Sequence, residues 1–347
     1  MPTKILVIGP SSIHVTRFIN LVKDLFDEVV YVGEAQLETK HNVRQHLINF
    51  RSSNPFFIWK NYRKLKRIIE TENPIVTHIQ QVNRIAYMAA RILSAKNRKN
   101  VVTAWGSDIL LVPKRSRVFK IMTKRVLDGA SYITADSNNM ISEINKLTSN
   151  RNFKLVFFGI EPIKSLPKEK IIYSNRALQE LYNIETIIEE FNVFQMLHPD
   201  WRLVIAGSGA LNDLLREKVK SLNIDSKVDF VGWLNAEKND EYYKRSSIYV
   251  SLPFSDGTSI SLLEAMSAGC IPVVSDLPVA YEWIKNKQNG IIKKQGENGF
   301  IEALKLDYSE VCKINSGIIE EKATGKMATQ KFKEIYDKLK DGSIAEK

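Results

Sequence analysis

Two carboxylates lie eight residues apart in the stretch "SLPFSDGTSISLLEAMSAGCIPVVSD", which runs from Ser251 to Asp276. Asp256 is followed by a glycine, and Glu264 lies inside the apolar run "SLLEAM", where an unpaired charge would be costly to bury. A carboxylate there could accept hydrogen bonds from a ribose diol, so the pair points to a nucleotide or sugar site. The structural alternative is a glutamate that neutralises an internal arginine or lysine.

The residues around Glu264 predict a helix whose amino end lies at this site. "SIYVSLPFSDG" is typical of a strand and a turn, and "TSISLLEAMSAG" of a helix capped by Thr258 or Ser259 and ending at Gly269. Free N–H groups at the start of such a helix, together with its dipole, attract an anion such as a diphosphate. The small residues Gly257, Thr258 and Ser259 let a ligand approach the backbone closely.

The composition is globular, and the charge is unevenly placed. The 347 residues, 44% hydrophobic and 26% charged, are enough for two ordinary domains. The net charge is +11, and residues 1–165 hold 26 lysines and arginines against 12 aspartates and glutamates, so the whole excess lies in the first half. It is concentrated in Lys60–Arg67, Lys96–Lys99 and Lys114–Arg125. This asymmetry predicts an anionic partner for that half.

Cysteine usage and hydropathy favour a cytoplasmic protein. Only Cys270 and Cys312 occur, far apart, so a disulfide framework is not expected and a reducing compartment fits. The run "KILVIG" near the start is too short for a signal-peptide core and predicts a first buried strand. No window approaches the ~18 apolar residues that a membrane span needs.

Short apolar runs alternate with amphipathic stretches along the chain, which predicts an α/β protein with parallel sheets and helices on both faces. The aperiodic segment Gly159–Lys170, with two prolines, marks the seam between two Rossmann-like, doubly wound domains. We assign residues 1–165 to the first domain and 166–320 to the second. Residues 321–347 are expected to form a helix and tail that pack back toward the first domain. Ligands bind at the carboxyl ends of such strands, which are expected to face an interdomain cleft.

Five stretches in fixed order resemble the retaining glycosyltransferases of family 4, which have the GT-B fold. They are "AWGSDIL", "YSNR", "LVIAGSG", "VDFVGW" and "SDGTSISLLEAMSAGCIPVVSDLP". The resemblance covers most of the chain and is best from about residue 171 to 292. It implies a donor site for a nucleoside diphosphate sugar in the second domain and an acceptor site in the first.

The resemblance gives the donor-site residues their expected roles. Glu264 aligns with the glutamate that hydrogen-bonds the ribose of the nucleotide. Asp256 aligns with the first glutamate of the family motif, which holds hydroxyls of the donor sugar, and it is one methylene shorter. The remaining residues implied to bind the donor are Asn175, Gly207, Gly209, Gly257, Thr258, Ser259, Ile260, Trp233 and Leu234.

Arg176 aligns with the arginine that contacts the diphosphate in this family. A fixed guanidinium suits the negative charge that builds up on a departing nucleoside diphosphate. The family usually has a lysine five residues later, but this region reads "RALQELYN", with Leu181 and Tyr182. Neutralisation of the phosphates is therefore expected to depend more on Arg176, the helix end and a further group. The structural alternative is an ion pair between Arg176 and a neighbouring carboxylate.

The first half has its own candidates for the acceptor or the donor phosphate. His14 and Arg17 lie one turn apart at the start of a predicted helix, and His14 joins Asp256 and Arg176 in the expected catalytic set. Trp105 stands in "AWGSDIL" where many relatives have a histidine, and Asp108 matches the acidic residue of the family. The alternatives are a satisfied polar role for His14, a core position for Trp105 and a helix N-cap for Asp108.

The segment "KRSRVFKIMTKRVL" predicts a helix with Val118, Ile121, Met122 and Leu127 mostly on one side and basic residues on much of the remainder. It either packs on the sheet with a solvated basic face or contacts anionic lipid headgroups.

The resemblance implies a hexosyl- or N-acetylhexosaminyltransferase that retains the anomeric configuration. The expected partners are a nucleotide-sugar donor with UDP as the carrier, a glycan or lipid-pyrophosphate-linked acceptor, and an anionic membrane surface that contacts the basic half. No nucleic acid is expected. No Asp-x-Asp pair occurs, and the five histidines lack ligand spacing, so no cofactor or metal is expected. The expected setting is the inner face of a bacterial cell membrane, in surface polysaccharide assembly.

Other functions remain open at this point. A sugar-nucleotide epimerase or a phosphorylase can share the same two-domain architecture. A non-enzymatic basic protein that binds membrane or nucleic acid would explain the charge, but it leaves Asp256, Glu264 and Arg176 without a purpose.

Overall fold

The structure is a computed structural model that describes residues 3–39, 42–50, 52 and 54–341. The chain divides into two compact units, Met1–Gly159 with Gly325–Lys347, and Ile160–Thr324. The first boundary lies six residues before the predicted one at 165, and the second lies four residues after the predicted one at 320. Each unit contains a single all-parallel sheet, which confirms the predicted α/β class.

The first unit is built on a seven-stranded sheet in the order β3-β2-β1-β4-β5-β6-β7. Its strands are β1 (Lys4–Ile8), β2 (Glu28–Gly33), β3 (Arg44–Leu47), β4 (Val76–Gln80), β5 (Asn100–Thr103), β6 (Tyr132–Ala135) and β7 (Phe153–Leu155). Its helices include α1 (Ile13–Val22), α2 (Pro55–Glu72), α3 (Arg84–Ser94), α4 (Ser107–Leu110), α5 (Val112–Arg115), α6 (Arg117–Asp128) and α7 (Asn138–Leu147). The strand order reverses between β1 and β4, which is the switch point where ligands bind in such sheets.

Polar side chains cap the amino ends of the helices in this unit. Ser12 caps α1, Asn54 caps α2, Asn83 caps α3 and Ser116 caps α6, and in each case the side-chain oxygen accepts a hydrogen bond from a backbone N–H of the first turn. Pro55 occupies the first position of α2, where its missing N–H costs nothing. Local sequence therefore sets where these helices begin. Among the described helices of the chain, none is long and apolar enough to cross a membrane.

The second unit has a six-stranded sheet in the order β10-β9-β8-β11-β12-β13. The strands are β8 (Glu169–Ser174), β9 (Arg202–Ala206), β10 (Val228–Gly232), β11 (Ser246–Ser251), β12 (Ile271–Ser275) and β13 (Ile291–Lys293). The helices are α8 (Ile184–Leu197), α9 (Asn212–Ser221), α10 (Ala236–Arg245), α11 (Ile260–Ser267), α12 (Gly299–Ala303) and α13 (Tyr308–Lys322). The switch point lies between β8 and β11.

The final helix, α14 (Gly325–Lys340), belongs to the first unit and packs on α1. His78, in the middle of β4, is fully buried beneath it. Its Nδ1 lies 2.7 Å from the hydroxyl of Tyr336 on α14, and its Nε2 lies 2.6 Å from the hydroxyl of Thr103. His78 therefore joins two strands to the last helix.

We predict that His78 makes the first unit sensitive to acid. Burial lowers the pKa of His78 from 6.5 to about 3, so the folded state keeps the ring neutral while the unfolded chain takes up a proton below pH 6.5. Stability from this group is therefore present above pH 6.5 and is lost as the pH falls. Between pH 7.5 and 5.5 the loss should be about 1.4 kcal/mol.

Urea unfolding at both pH values, in the wild type and in His78→Gln, measures this contribution. The variant should be less stable at pH 7.5 but should lose about 1.4 kcal/mol less on acidification. A His198→Gln control, in the other unit, should keep the wild-type pH dependence. Equal acid losses in the wild type and His78→Gln would show that His78 does not carry the effect.

Candidate functional site

The predicted donor residues of the second unit gather at the carboxyl ends of β8 and β11. Asn175 and Arg176 directly follow β8, and Asp256 lies in the loop after β11. These strands are neighbours in the sheet although they are far apart in the sequence. The site therefore lies at the switch point, where a doubly wound sheet binds its ligand.

Arg176 is the central group of this site. Its Nη2 donates to Asp256 Oδ2 at 2.7 Å, and its Nη1 donates to the hydroxyl of Ser259 at 2.7 Å. The guanidinium also lies 4.4 Å from the centre of the Tyr182 ring. With side-chain exposures of 11% for Arg176 and 24% for Asp256, the pair is mostly shielded from water. The arginine is thus held in place by three groups before any ligand arrives.

Burial and charge act in opposite directions on this ion pair. Burial raises the pKa of Asp256, and the Arg176 guanidinium and the Gly257 amide partly counteract the rise. Burial by itself would lower the pKa of Arg176, but Asp256 together with the neighbouring tyrosines Tyr249, Tyr182 and Tyr243 more than compensates, and the net pKa is raised. The guanidinium in turn favours the ionised form of Asp256. The ion pair predicted as the structural alternative for Arg176 is therefore present, and its partner is the other predicted catalytic residue.

The amino end of α11 completes this side of the site. Ser259 is the N-cap, and its hydroxyl accepts from the N–H of Leu262 at 3.3 Å while it also receives Arg176. The indole N–H of Trp283 donates to the hydroxyl of Thr258 at 3.2 Å. Helix α11 ends as predicted, with Gly269 in the left-handed conformation (φ 79°) directly after the C-cap. The segment from Asp256 to Ile260 is therefore fixed at both of its ends.

Glu264 lies in the second turn of α11 and is half-buried. The neighbouring residues Leu262, Leu263, Ala265 and Met266 are the ones that pack into the core. The carboxylate is close enough to Tyr243 that its charge, after burial, raises the pKa of that hydroxyl well above 10. The Tyr243 hydroxyl in turn lies 2.6 Å from the donating side-chain nitrogen of Asn175. The buried Tyr243 is thus hydrogen-bonded to Asn175 and lies within electrostatic reach of Glu264.

Gly207 and Gly209 lie after β9, as predicted, and their role there is steric. A Cβ on Gly207 would lie 2.4 Å from the carbonyl oxygen of Arg176, and a Cβ on Gly209 would lie 2.2 Å from that of Leu178. Gly207 also has a φ of +144°. Any side chain at either position would push away the loop that carries Arg176. These glycines therefore position the arginine, whatever else they contact.

Trp233 and Leu234 directly follow β10. The Trp233 side chain is 75% exposed, and Leu234 is half-buried. Gly232, which precedes them, has a φ of +73°, and its carbonyl accepts from Gly207 N at 2.7 Å. These two predicted donor-binding residues therefore lie beside the Gly207 turn, at the carboxyl edge of the sheet.

In the first unit, the candidates His14 and Trp105 meet at the carboxyl edge of the sheet. Their ring centres are 5.2 Å apart, and the ring planes meet at 64°. His14 is exposed, and Arg17, one turn further along α1, is half-buried. The Trp105 indole N–H donates to the side-chain oxygen of the buried Gln80 at 3.0 Å. Trp105 is therefore a half-buried wall beside an exposed histidine, and the catalytic role of His14 stays a prediction.

Asp108 orders the backbone around it, and its predicted contact with the acceptor stays a prediction. It is 2% exposed, and its carboxylate accepts from the backbone N–H groups of Val82, Trp105 and Gly106 at 2.7–3.2 Å. Burial raises the pKa of Asp108, and these hydrogen bonds lower it. The N-cap alternative is wrong in detail, because Gly106 caps α4 and Asp108 lies within the helix. Asp108 shapes the loops after β4 and β5.

The basic helix α6 differs from its predicted packing. Leu127 is buried and Met122 half-buried, but Val118 and Ile121 are 65% and 51% exposed. The apolar stripe therefore does not pack on the sheet along its whole length. The reason is that the first turns of α6 extend beyond the core, and only the C-terminal turns pack against it.

Family comparison identifies both units. Residues 159–308 match the family described as "Glycosyl transferases group 1", and residues 4–137 match "Glycosyl transferase 4-like". Together these ranges include nearly every candidate residue described above. The chain belongs to the GT4-like glycosyltransferases.

Two curated relatives indicate the range of this family. The chain is 24% identical over 300 residues to a Campylobacter jejuni enzyme named N-acetylgalactosamine-N,N'-diacetylbacillosaminyl-diphospho-undecaprenol 4-alpha-N-acetylgalactosaminyltransferase, covering 82% of this chain and 80% of the relative. It is 25% identical over 182 residues to the Xanthomonas campestris GDP-mannose:cellobiosyl-diphosphopolyprenol alpha-mannosyltransferase, covering 50% and 48%. With several other curated glycosyltransferases the match spans about half of the relative or less.

The GT-B fold of this GT4-like chain is confirmed by solved structures. Anabaena HepE, in complex with UDP and glucose, superposes with a TM-score of 0.82 over 96% of this chain and 99% of that one, at 14% identity. At that identity the similarity establishes the fold. The two Rossmann-like sheets of this chain are those of a GT-B glycosyltransferase.

Two residues of this GT4-like site were missed by the sequence reasoning. Tyr182, which occupies the region of the missing lysine, packs on Arg176, and Trp283 holds Thr258 from a different loop. Tyr182 could have been found, because the departure from the family pattern pointed to its position. No signal in the sequence marks Trp283, since its contact depends on how the loop after β12 folds.

Proposed function

We propose that this chain transfers a sugar, with retention of configuration, from a UDP-sugar to a hydroxyl of a lipid-pyrophosphate-linked glycan. The second unit would bind the donor and the basic first unit the acceptor. The observation that carries the proposal is the Arg176–Asp256–Ser259 constellation at the amino end of α11, in a chain of the GT4-like family.

The donor would bind through charges and hydroxyl contacts already present in the second unit. Arg176 and the N–H groups at the start of α11 supply positive potential for a diphosphate. Glu264 would accept hydrogen bonds from the ribose diol, and Asp256 from hydroxyls of the sugar. Tyr182 holds the guanidinium by its ring face, in the region where the family usually has a second cation. Arg176 then neutralises most of the negative charge of the diphosphate.

The transfer itself needs no protein nucleophile. The acceptor oxygen forms a bond to the anomeric carbon on the face from which the diphosphate leaves. The bond between that carbon and the diphosphate oxygen breaks, and the acceptor proton passes to the departing oxygen. Arg176 stabilises the charge on the leaving group, and Asp256 orients the sugar. Neither residue changes its covalent state.

The proposed class of acceptor is supported by the positive charge of the first half and by the named activities of two relatives. The first half carries all of the net positive charge, which favours an anionic acceptor and an anionic membrane surface. The named activities of the Campylobacter and Xanthomonas relatives both use diphospho-polyprenol-linked acceptors. We therefore place the chain at the inner face of a bacterial membrane, in surface polysaccharide assembly. We propose that it needs no metal or other cofactor.

Thermal unfolding with nucleotides tests the donor site directly. UDP, GDP, ADP and their sugar conjugates are each added at increasing concentration, with EDTA throughout. UDP at 100 times its dissociation constant should stabilise the protein by ~2.7 kcal/mol, and the other nucleotides should do so only at higher concentration. A shift with GDP alone would show that the donor carries guanine instead of uracil. A shift that requires Mg²⁺ would show that donor binding depends on a metal. No shift with any nucleotide would refute the proposal.

Product analysis tests the reaction. The anomeric configuration of the new linkage, read by NMR, should equal that of the donor. Formation of an epimeric sugar nucleotide, or of a sugar phosphate when inorganic phosphate is supplied, would indicate an epimerase or a phosphorylase instead.

A further inference from the structure

The first unit has a large apolar groove between α2, α3 and α6. Its volume is about 830 Å³, within the usual range of small-molecule sites of about 300–1,000 Å³. Its apolar wall includes Ile58, Trp59, Tyr62, Met88, Phe119 and Met122. We call this cavity the α2–α6 groove. A space of this size and lining favours a hydrocarbon over a polar ligand.

Large apolar side chains are exposed along the groove and beside it. Trp59 and Phe119 line the groove and are 54% and 45% exposed. Phe56 on α2 and Val118 on α6 do not line it and are 62% and 65% exposed. An apolar patch of this kind on a protein surface usually marks an interaction site.

Basic residues dominate the rim of the groove, and its one acidic lining residue, Asp108, is buried. Residues 55–69, 84–94 and 112–127, which belong to α2, α3, α5 and α6, hold thirteen lysines and arginines, and the acidic residues Glu70, Glu72 and Asp128 lie at the C-terminal ends of α2 and α6. Two of the basic residues, Arg84 and Arg91, line the groove itself. An apolar cavity with a basic rim is complementary to an anionic lipid, whose chain and headgroup require these two environments.

One end of the groove lies at the carboxyl edge of the sheet. Gln81 follows β4 directly and Ser107 begins α4, the first helix after β5, and both line the groove together with Arg84 at the start of α3. This is the edge where His14 and Trp105 meet. A ligand in the groove would therefore extend from that edge outward between α2 and α6.

We infer that the α2–α6 groove holds the isoprenyl chain of the acceptor, with its pyrophosphate at Arg84 and its glycan toward the carboxyl edge. This inference rests on the proposed function and adds to it the place where the lipid binds. The location at the carboxyl edge, beside the candidate residues His14 and Trp105, favours a substrate lipid over a membrane phospholipid. The groove would select acceptors by their isoprenyl chain, independently of how the sugar is recognised.

A photoreactive C15 isoprenyl pyrophosphate, with a diazirine on its last isoprene unit, is a suitable probe. We expect saturable binding of one molecule per chain and cross-links to peptides of α2 and α6. Trp59→Ser and Phe119→Ser should each weaken binding about tenfold or more, because each removes a large apolar side chain from the wall. Arg84→Met should weaken binding of the pyrophosphate about fivefold and leave the C15 alcohol unaffected.

Phe57→Ser and Val118→Ser are the matched controls, since they remove apolar side chains, 48% and 65% exposed, from the same helices outside the groove. They should change binding by less than about twofold. If the control variants lost as much affinity for the isoprenyl probe as Trp59→Ser and Phe119→Ser, the inference would be overturned. That result would indicate a helix face that inserts into the bilayer. Binding to phosphatidylglycerol vesicles without binding of the isoprenyl probe would also overturn the inference.

The same preparation is titrated with UDP to separate the two proposals. A UDP-induced thermal shift without isoprenyl binding means that the groove inference alone is wrong. Isoprenyl binding without any nucleotide shift supports the groove as a lipid site and refutes the proposed transferase.

Discussion

Replacing Arg176 with alanine should lower kcat for sugar transfer by about 10²–10³-fold, the usual effect of losing one preorganised group that stabilises developing charge. The guanidinium is 11% exposed and already fixed by Asp256, Ser259 and Tyr182, so it needs little reorganisation when the diphosphate departs. Arg176→Lys keeps the charge but loses the planar fork, and it should recover only part of the activity. Steady-state kinetics with a UDP-sugar donor measure both variants.

Stability must be followed alongside these kinetics. Loss of Arg176 leaves the carboxylate of Asp256 shielded from water without its cation, a change that costs about 3–5 kcal/mol at buried ion pairs. Adding Asp256→Asn to Arg176→Ala should restore much of this stability and none of the activity. A folded Arg176→Ala protein with kcat within tenfold of the wild type would remove Arg176 from the mechanism.

Replacing Glu264 with glutamine should weaken UDP binding about 10- to 100-fold. Glutamine has nearly the same shape, but it exchanges a charged acceptor for a neutral one, and hydrogen bonds to charged groups contribute about 1.5–3 kcal/mol. Calorimetric titration with UDP and with 2′,3′-dideoxy-UDP gives the affinities. The wild type should bind the dideoxy compound more weakly than UDP, while Glu264→Gln should discriminate much less between the two compounds.

The dideoxy comparison isolates the ribose contact from any general damage to α11. Glu237→Gln, at an exposed position on α10, is the matched control and should bind UDP as the wild type does. If Glu264→Gln still discriminated between the two nucleotides as strongly as the wild type, another residue would bind the ribose.

Much of the fold was predictable because it depends on neighbours in the chain. The alternation of apolar runs and helical stretches predicted both parallel sheets, and residue types predicted Thr258 or Ser259 as the cap and Gly269 as the terminus of α11. The order of five family motifs also predicted which loops carry the donor residues. Capping, periodicity and motif spacing are short-range properties, so the sequence alone determined them.

Contacts between distant loops were decided only by the tertiary structure. Arg176 lies 80 residues from Asp256 and 83 from Ser259, and the three meet only because β8 and β11 are adjacent in the sheet. The carboxylate of Asp108 accepts hydrogen bonds from the backbone amides of Val82 and Gly106, and the sequence around Asp108 did not predict these partners. The α2–α6 groove exists because three helices from separate parts of the chain leave apolar side chains unpacked between them. Strand order and helix packing bring such groups together, and neither is a property of any single segment.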